Sequence, residues 1–400
     1  MKYLAYSLAI AIVMCSCSYQ RVESTQIEEV KVDSIQGMSP YFTSDAHGIA
    51  VISWVRMSED SSFQFCFAKT SDGKKFSNTI AVPYTSNVQP HGENLPKIIF
   101  KPSGEIMAIW GIANPNPANK YSGLIFYSQS FDDGQTWKNP VPLVQDSSAY
   151  DQRYFDVTLL PDGEVGIIWL DNRKSIEGDG SAVFFASTKG NEGFQKPRKI
   201  SEPACPCCRT GILVDEKKNI HVIYRGIQQT VRDMVHIVSS DGGQTFSEAK
   251  KISDDNWVIN GCPHTGPAMA ENSNGLHFAW YTGGTDAGSY YSCSKDGGSS
   301  FRGRNAITSV GSHPQICVLG NENLLLAWDE AKVENGSARK MIGLQSRDAN
   351  GTVIEEMSLH SMADETAFPV VTPIGKSGAM IAYTGTFEKK KYVMMQVVGK

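Results

Sequence analysis

The chain has 400 residues, 37 Lys and Arg against 42 Asp and Glu, a net charge of −5, and 36 glycines. A mildly acidic chain with both signs of charge mixed offers no basic surface for a phosphate backbone, which argues against nucleic acid as a partner. Length alone would suit two or three domains, but β repeats build longer single domains, and no linker composition interrupts the chain.

The first element is an export signal. Lys2 precedes an apolar run from Tyr3 to Met14, too short to span a bilayer and followed by small residues and cysteines. Residues 1–17 read as a lipoprotein signal with Cys17 as the lipid-modified residue, residues 18–26 as a polar tether, and 27–400 as the folded domain. The expected location is outside the cytoplasm, at the periplasmic or cell surface and anchored in the membrane through the lipid. A plain secretory signal, giving a secreted protein, is the alternative.

Beyond the tether, apolar strands ending in an aromatic residue recur: Gly48 to Trp54, Gly104 to Trp110, Gly163 to Trp169, Asn219 to Tyr224, Gly275 to Trp280, Asn323 to Trp328 and Gly378 to Tyr383. Their spacing matches a four-stranded propeller blade. Seven copies predict an all-β propeller of seven four-stranded blades, with six as the alternative. Lys391 to Val397 would pair with an N-terminal strand near Glu28 to Asp33 to close the ring.

An aspartate turn follows most of these strands. The clearest copies are Ser130-Phe131-Asp132-Asp133-Gly134-Gln135-Thr136-Trp137, Ser239 to Phe246 and Ser294 to Phe301, with degenerate copies at Asp72, Lys189 and Asp348. In such a turn the carboxylate accepts backbone N–H groups, glycine supplies positive φ and the aromatic packs back between sheets. The turns follow third strands, so they belong to the lower face and serve as structural staples. The opposite, upper face is formed by the starts of the inner strands, marked by Pro40, Pro96, Pro267, Pro314 and Pro369, and by the loops leaving the second strands. That register gathers His91, Glu93, Asp151, Arg153, Tyr154, Cys205 to Arg209, Cys262, His264 and His313 at one mouth. Arg56, Asp171, Arg173, Tyr224, Arg225, Arg232, Asp233, Tyr281, Asp329 and Glu330 join them from the second-strand loops.

The aspartate turns, the export signal and the propeller resemble the sialidase superfamily, and Cys205-Pro206-Cys207-Cys208-Arg209 with Gly261-Cys262-Pro263-His264 looks like a group of bacterial sialidase-like Asp-box proteins. The resemblance implies a glycoside hydrolase acting on an acidic glycan or glycoconjugate of sialic-acid type. Arginines would hold its carboxylate, a tyrosine would attack the anomeric carbon and acids would move protons. Carried onto this sequence, Tyr224, Tyr281, Asp171 and Asp233 are the catalytic candidates, and Arg153, Arg209, Arg225 and His264 the substrate-binding ones. Two departures stand against it: Met38-Ser39-Pro40 replaces the family's Arg-Ile-Pro, and seven blades replace six. A noncatalytic propeller binding a glycan, a protein or a metal at the same mouth is the alternative function.

Cysteines supply the last candidate site. Cys66, Cys293 and Cys317 sit in strand patterns as small buried hydrophobes. Cys205, Cys207, Cys208 and Cys262 are expected together, by default with Cys208 or Cys205 in a disulfide to Cys262. A thiolate metal site that includes these four and His264 is the second reading, and no other cofactor is expected.

Overall fold

The structure is a computed structural model that describes residues 27–399 except 59, 118, 147–150, 174–179 and 335–336. The export signal, Cys17 and the tether lie outside the described residues. Among the described residues there is no helix, and the strands form seven four-stranded antiparallel sheets. These blades span 37–81, 97–142, 152–204, 211–251, 268–308 and 311–359, with the seventh built from 365–398 plus Glu29–Lys31. Inner strands of successive blades touch in order, and the innermost strand of the last touches that of the first. This is the seven-bladed propeller that the repeat predicts.

The recurring strand aromatics drive the blades together. Trp54, Trp110, Trp169, Tyr224, Trp280, Trp328 and Tyr383 are all buried, and each large side chain removed from water contributes about 2–3 kcal/mol. Residues alternate between the two faces of every sheet, so each blade presents apolar side chains to both neighbours. The clusters that result straddle blades, as where Trp54 of blade 1 shares a core with Met380 and Met395 of blade 7.

The ring closes through the first strand. Glu29–Lys31 is the outer strand of the seventh blade and runs antiparallel to its third strand Lys390–Val398, with Val30 opposite Met395. The Glu29 carboxylate accepts bonds from Ser361 Oγ at 2.5 Å, from the Met362 N–H at 3.0 Å and from the Tyr383 hydroxyl. Removing residues 1–33 should therefore lower the thermal midpoint by on the order of 5 °C or more, measured by circular dichroism against the parent chain. An unchanged midpoint would refute the closing role.

Each aspartate turn joins the third and fourth strands of its blade. Asp241 accepts from the Thr245 N–H at 2.9 Å and the Thr245 hydroxyl at 2.6 Å, and Asp296 is bonded in the same way by Ser300. The turn glycines lie on rings of the preceding blade: Gly134 on Phe67, Gly193 on Tyr127, Gly243 on Phe185, Gly298 on His236 and Gly351 on Tyr291. All five have positive φ, so a side chain there would meet both backbone strain and an aromatic ring. The bonds from Thr245 hold the Asp241 carboxyl well below the usual range, and those from Ser300 bring Asp296 to about 2. Such groups add stability that is complete above the unfolded carboxyl value of about 3.9 and is lost as pH falls through the folded value. Asp241→Asn should flatten the acid limb of the stability curve between about pH 4 and pH 2 in urea titrations.

Four inner strands carry a bulge at the same rank. Register breaks between Met38 and Tyr41, Arg153 and Asp156, Ser312 and Gln315, and Ala367 and Val370. The bulge residues Ser39, Tyr154, His313 and Phe368 have φ of 60°, 57°, 53° and 54°. A bulge bends the strand and re-aims its side chain. Counting back from the paired strands places Leu95, Arg209 and Gly266 at the same rank in blades 2, 4 and 5. These seven residues ring the axis beneath the upper mouth.

Candidate active site

The upper mouth is the end of the ring opposite the aspartate turns, where hairpins join second to third strands. On blades 6 and 7 those hairpins are long, built from Leu324–Glu334 with Ser337–Arg347 and from Gly378–Phe387 with Lys390–Val398. They wall one side of a cavity of about 400 Å³ lined by His91, Glu93, His264, His313, Phe368, Lys340 and Lys391. At its edge Lys340 pairs with Glu365 at 3.5 Å and Lys391 adds a further cation, so the rim keeps a net positive charge that favours an anionic occupant.

The floor is held by Arg209. Its Nη1 donates to Glu93 Oε1 at 2.5 Å, its Nε to the Pro267 carbonyl at 3.2 Å, and its Nη2 to the carbonyls of Gly266 and Pro314 at 3.2 and 3.1 Å. Glu93, fully buried, also accepts the Gly266 N–H at 2.6 Å. Burial pushes the Glu93 carboxyl upward against the pull of Arg209. One guanidinium thus ties blades 2, 4, 5 and 6 across the axis. Gly266 has to lack a side chain, because a Cβ there would stand 2.4 Å from Arg209 Cβ.

Three histidines face the cavity in different states. His91 Nδ1 accepts the N–H groups of Glu93 and Asn94 at 3.0 and 3.2 Å, which leaves the ring proton on Nε2. Burial lowers its pKa to about 4, so the ring is neutral at physiological pH. His313 has both nitrogens against acceptors: Nδ1 lies 2.9 Å from Asp329 Oδ1, and Nε2 lies 3.2 Å from the His264 carbonyl. Burial opposes charge on that ring, but the bond to Asp329 and the charge of Glu93 outweigh it and raise its pKa. With an acceptor at each ring nitrogen, His313 braces the loop of His264.

His264 is exposed. Its Nδ1 lies 3.4 Å from the Tyr154 hydroxyl, and its ring is centred 6.2 Å from that of His91, which in turn meets Tyr154 edge-on at 5.8 Å. Tyr154 is fixed at its strained φ by two bonds, its N–H to Asn94 Oδ1 at 2.7 Å and its carbonyl to the Thr210 hydroxyl at 2.7 Å. Burial raises the Tyr154 phenol, although Arg153 beside it pulls the other way. The phenol keeps its proton, and an exposed imidazole stands within reach of it. An acid and a base side by side can move a proton onto one substrate atom and off another.

The sequence-derived candidates are spread more widely. Tyr224 is buried, shares a hydrogen bond with Ser201 of the neighbouring blade, and lines with Asp233 a separate cavity of about 160 Å³. Asp171 accepts from Trp169 Nε1 at 2.9 Å and from Arg173 Nη2 at 2.6 Å. Tyr281 packs against Trp257 at 5.7 Å, and its carbonyl receives Arg225 Nη2 at 2.8 Å. Buried Arg225 also donates to the Thr265 and Arg232 carbonyls, and Asp233 pairs with Lys251 at 3.1 Å. None of Tyr224, Tyr281, Asp171 and Asp233 lines the upper cavity. Arg153 lies beside Tyr154 but is bonded to both oxygens of Asp151 at 2.6 and 2.8 Å. Only Arg209, Arg153 and His264 of the eight lie at the floor or edge of the mouth.

The cysteines require a correction. All seven described cysteines are free thiols, so the expected disulfide to Cys262 is not formed. Cys262 is exposed, whereas Cys205, Cys207 and Cys208 are buried and mutually close. Tyr154, His91, Glu93 and His313 were placed at the mouth by the inner-strand entries and Asp329 by the second-strand loops, but none was given a role. His313, before Pro314, and Tyr154 at the equivalent rank are where the bulge falls.

No family model matches the chain, and no curated protein matches it significantly by sequence. Solved structures do match in fold. An ulvan lyase of polysaccharide lyase family PL25, bound to -[GlcA(1-4)Rha3S]-, is 12% identical with a TM-score of 0.58, covering 93% of this chain and 96% of its own. A protein of unknown function from Dyadobacter fermentans is 12% identical with a TM-score of 0.54, over 93% and 98%. The intramolecular trans-sialidase from Ruminococcus gnavus is 8% identical with a TM-score of 0.52, over 80% and 94%. At these identities the likeness establishes the fold alone.

Proposed function

We propose that the protein cleaves an acidic, uronate-containing polysaccharide at the upper mouth by β-elimination. The observation that carries this reading is the contact of the buried Tyr154 with His264 and His91, which line the cavity, while the carboxylates there are already engaged. Hydrolysis by paired carboxylates needs two that can reach the glycosidic bond. Here, of the two carboxylates that line the cavity, Glu93 is held by Arg209 and Glu365 pairs with Lys340 at 3.5 Å, while Asp329 behind them is held by His313. Elimination needs instead a base for the proton beside the uronate carboxylate and an acid for the leaving oxygen. His264 takes that proton, its electron pair forms the new double bond, the glycosidic C–O bond breaks, and Tyr154 protonates the departing oxygen. The His91 Nε2–H donates to the substrate carboxylate, and Lys340 and Lys391 attract the polyanion. The fold likeness to an ulvan lyase bound to a glucuronate-rhamnose sulfate polymer agrees with this substrate class.

Hydrolysis of a sialic-acid-type glycan is the second reading, favoured by Tyr154 standing beside Arg153 at the mouth. Against it, Arg209 and Arg225 are engaged by buried protein acceptors and Arg153 by Asp151, so three free guanidiniums do not converge. Under either reading, export and a lipid anchor at Cys17 place the ring where extracellular polymers are met.

The test is incubation of the purified chain with rhamnose-glucuronate and other uronate polysaccharides, and separately with fluorogenic sialosides. Ultraviolet absorbance from an unsaturated uronate end supports elimination. New reducing ends without that absorbance, or release from sialosides, would overturn it in favour of hydrolysis. Binding without any product would make the ring a noncatalytic glycan receptor.

A further inference from the structure

One cluster takes no part in this chemistry. The strap from Cys205 to Cys208 leaves the outer strand of blade 3 and leads directly into Arg209 and Thr210, the residues that hold the floor and the Tyr154 carbonyl. Cys205 Sγ lies 3.6 Å from Cys207 Sγ and 3.7 Å from Cys208 Sγ, and all three sulfurs lie within 4.8 Å of one another. These separations are too long for a disulfide, whose sulfurs are about 2.05 Å apart. A tetrahedron of sulfurs about 2.3 Å from a zinc ion has edges of about 3.8 Å. Two of the trio's three edges therefore already have the length of a tetrahedral thiolate site, and the third lies within 4.8 Å.

The surroundings fit a thiolate cluster as well. Three thiols turned toward one another in an apolar core satisfy each other poorly, since S–H is a weak donor and sulfur a weak acceptor. Arg232 Nη1 lies 3.4 Å from Cys205 Sγ and donates to the Gly261 carbonyl at 2.8 Å. A guanidinium beside the sulfurs offsets the negative charge that three thiolates would leave around a divalent ion. The same guanidinium moors the Gly261 carbonyl beside the cluster.

We propose that Cys205, Cys207 and Cys208 bind a single divalent ion of the zinc class as thiolates, fixing the strap that supports the mouth. As each metal–sulfur bond forms, the thiol releases its proton to solvent and no electrons are transferred. The ion serves as a brace, and the proposal stands independently of the reaction assigned to the mouth.

The full chain, reduced and stripped with a chelator, should be titrated with cobalt(II) under anaerobic conditions. One cobalt per chain with intense sulfur-to-cobalt charge-transfer bands, displaced by zinc, is the expected result. Cys207→Ser should lose those bands, whereas Cys317→Ser, in a separate core, should keep them. Because Cys207→Ser could fail to fold, the parent chain provides a second reading: zinc should protect Cys205, Cys207 and Cys208 from alkylation, as located by mass spectrometry. Absence of the bands in fully reduced chain, or equal alkylation of the three thiols with and without zinc, would overturn the site. None of these readings uses turnover, so failure here is separable from failure of the lyase assignment.

Discussion

Tyr154→Phe should lower kcat on a uronate polysaccharide by about a hundredfold or more, with KM changed by no more than about threefold. The ring stays where it is: its edge-on contact with His91 and the two backbone bonds that fix its φ do not involve the hydroxyl. What is lost is the proton for the leaving oxygen, which is needed only as the C–O bond breaks, so the loss should fall on kcat. His264→Ala should cost a similar factor, and the double variant should lose little more than either alone if the two act as one relay. Initial rates from the absorbance of unsaturated product give these values. A Tyr154→Phe chain with parental kcat would remove Tyr154 from the chemistry.

Arg209→Ala should destabilise the fold by about 3–5 kcal/mol, the usual consequence of leaving one member of a buried ion pair unpartnered. Buried Glu93 would keep a single hydrogen bond, from Gly266, and the carbonyls of Gly266, Pro267 and Pro314 would each lose a charged donor. Arg209→Lys should recover little, because one ammonium cannot span acceptors from three other blades. Urea denaturation gives the stability. If instead the variant kept parental stability and lost only substrate affinity, Arg209 would be a ligand-binding residue as its place beside the cysteines first suggested.

Most of the architecture was legible from periodicity. The aromatic that ends each second strand and the turn after each third strand are local patterns with a fixed physical cause, and they returned seven blades, the closing strand and the face on which the turns lie. Roles within the mouth were harder to read. Arg225 and Tyr224 are adjacent on a second strand, yet the first reaches backbone carbonyls of blade 5 and the second a serine of blade 3. Such partners come from other blades, and no spacing in the chain reveals them. Tyr154 was placed at the mouth but given no role, because a β pattern gives alternation of faces but not the bulge that turns one residue towards the axis. The cysteine pairing failed for a related reason: proximity of two strand starts does not say which side chains are buried, and Cys262 proved to be on the outside.

Closure by Glu29–Lys31 has a consequence for how the molecule is made. The strand leaves the ribosome early, but its partner Tyr383 is 354 residues further along. Until synthesis nears its end, the growing array is an open arc with an unpacked apolar sheet face at each end. Contacts of such sequence separation are slow to form, and exposed apolar faces invite association with other chains. A chain delivered N-terminus first therefore needs its opening strand kept from premature partners, and the last hairpin to emerge acts as the clasp that commits the whole arc to its final shape.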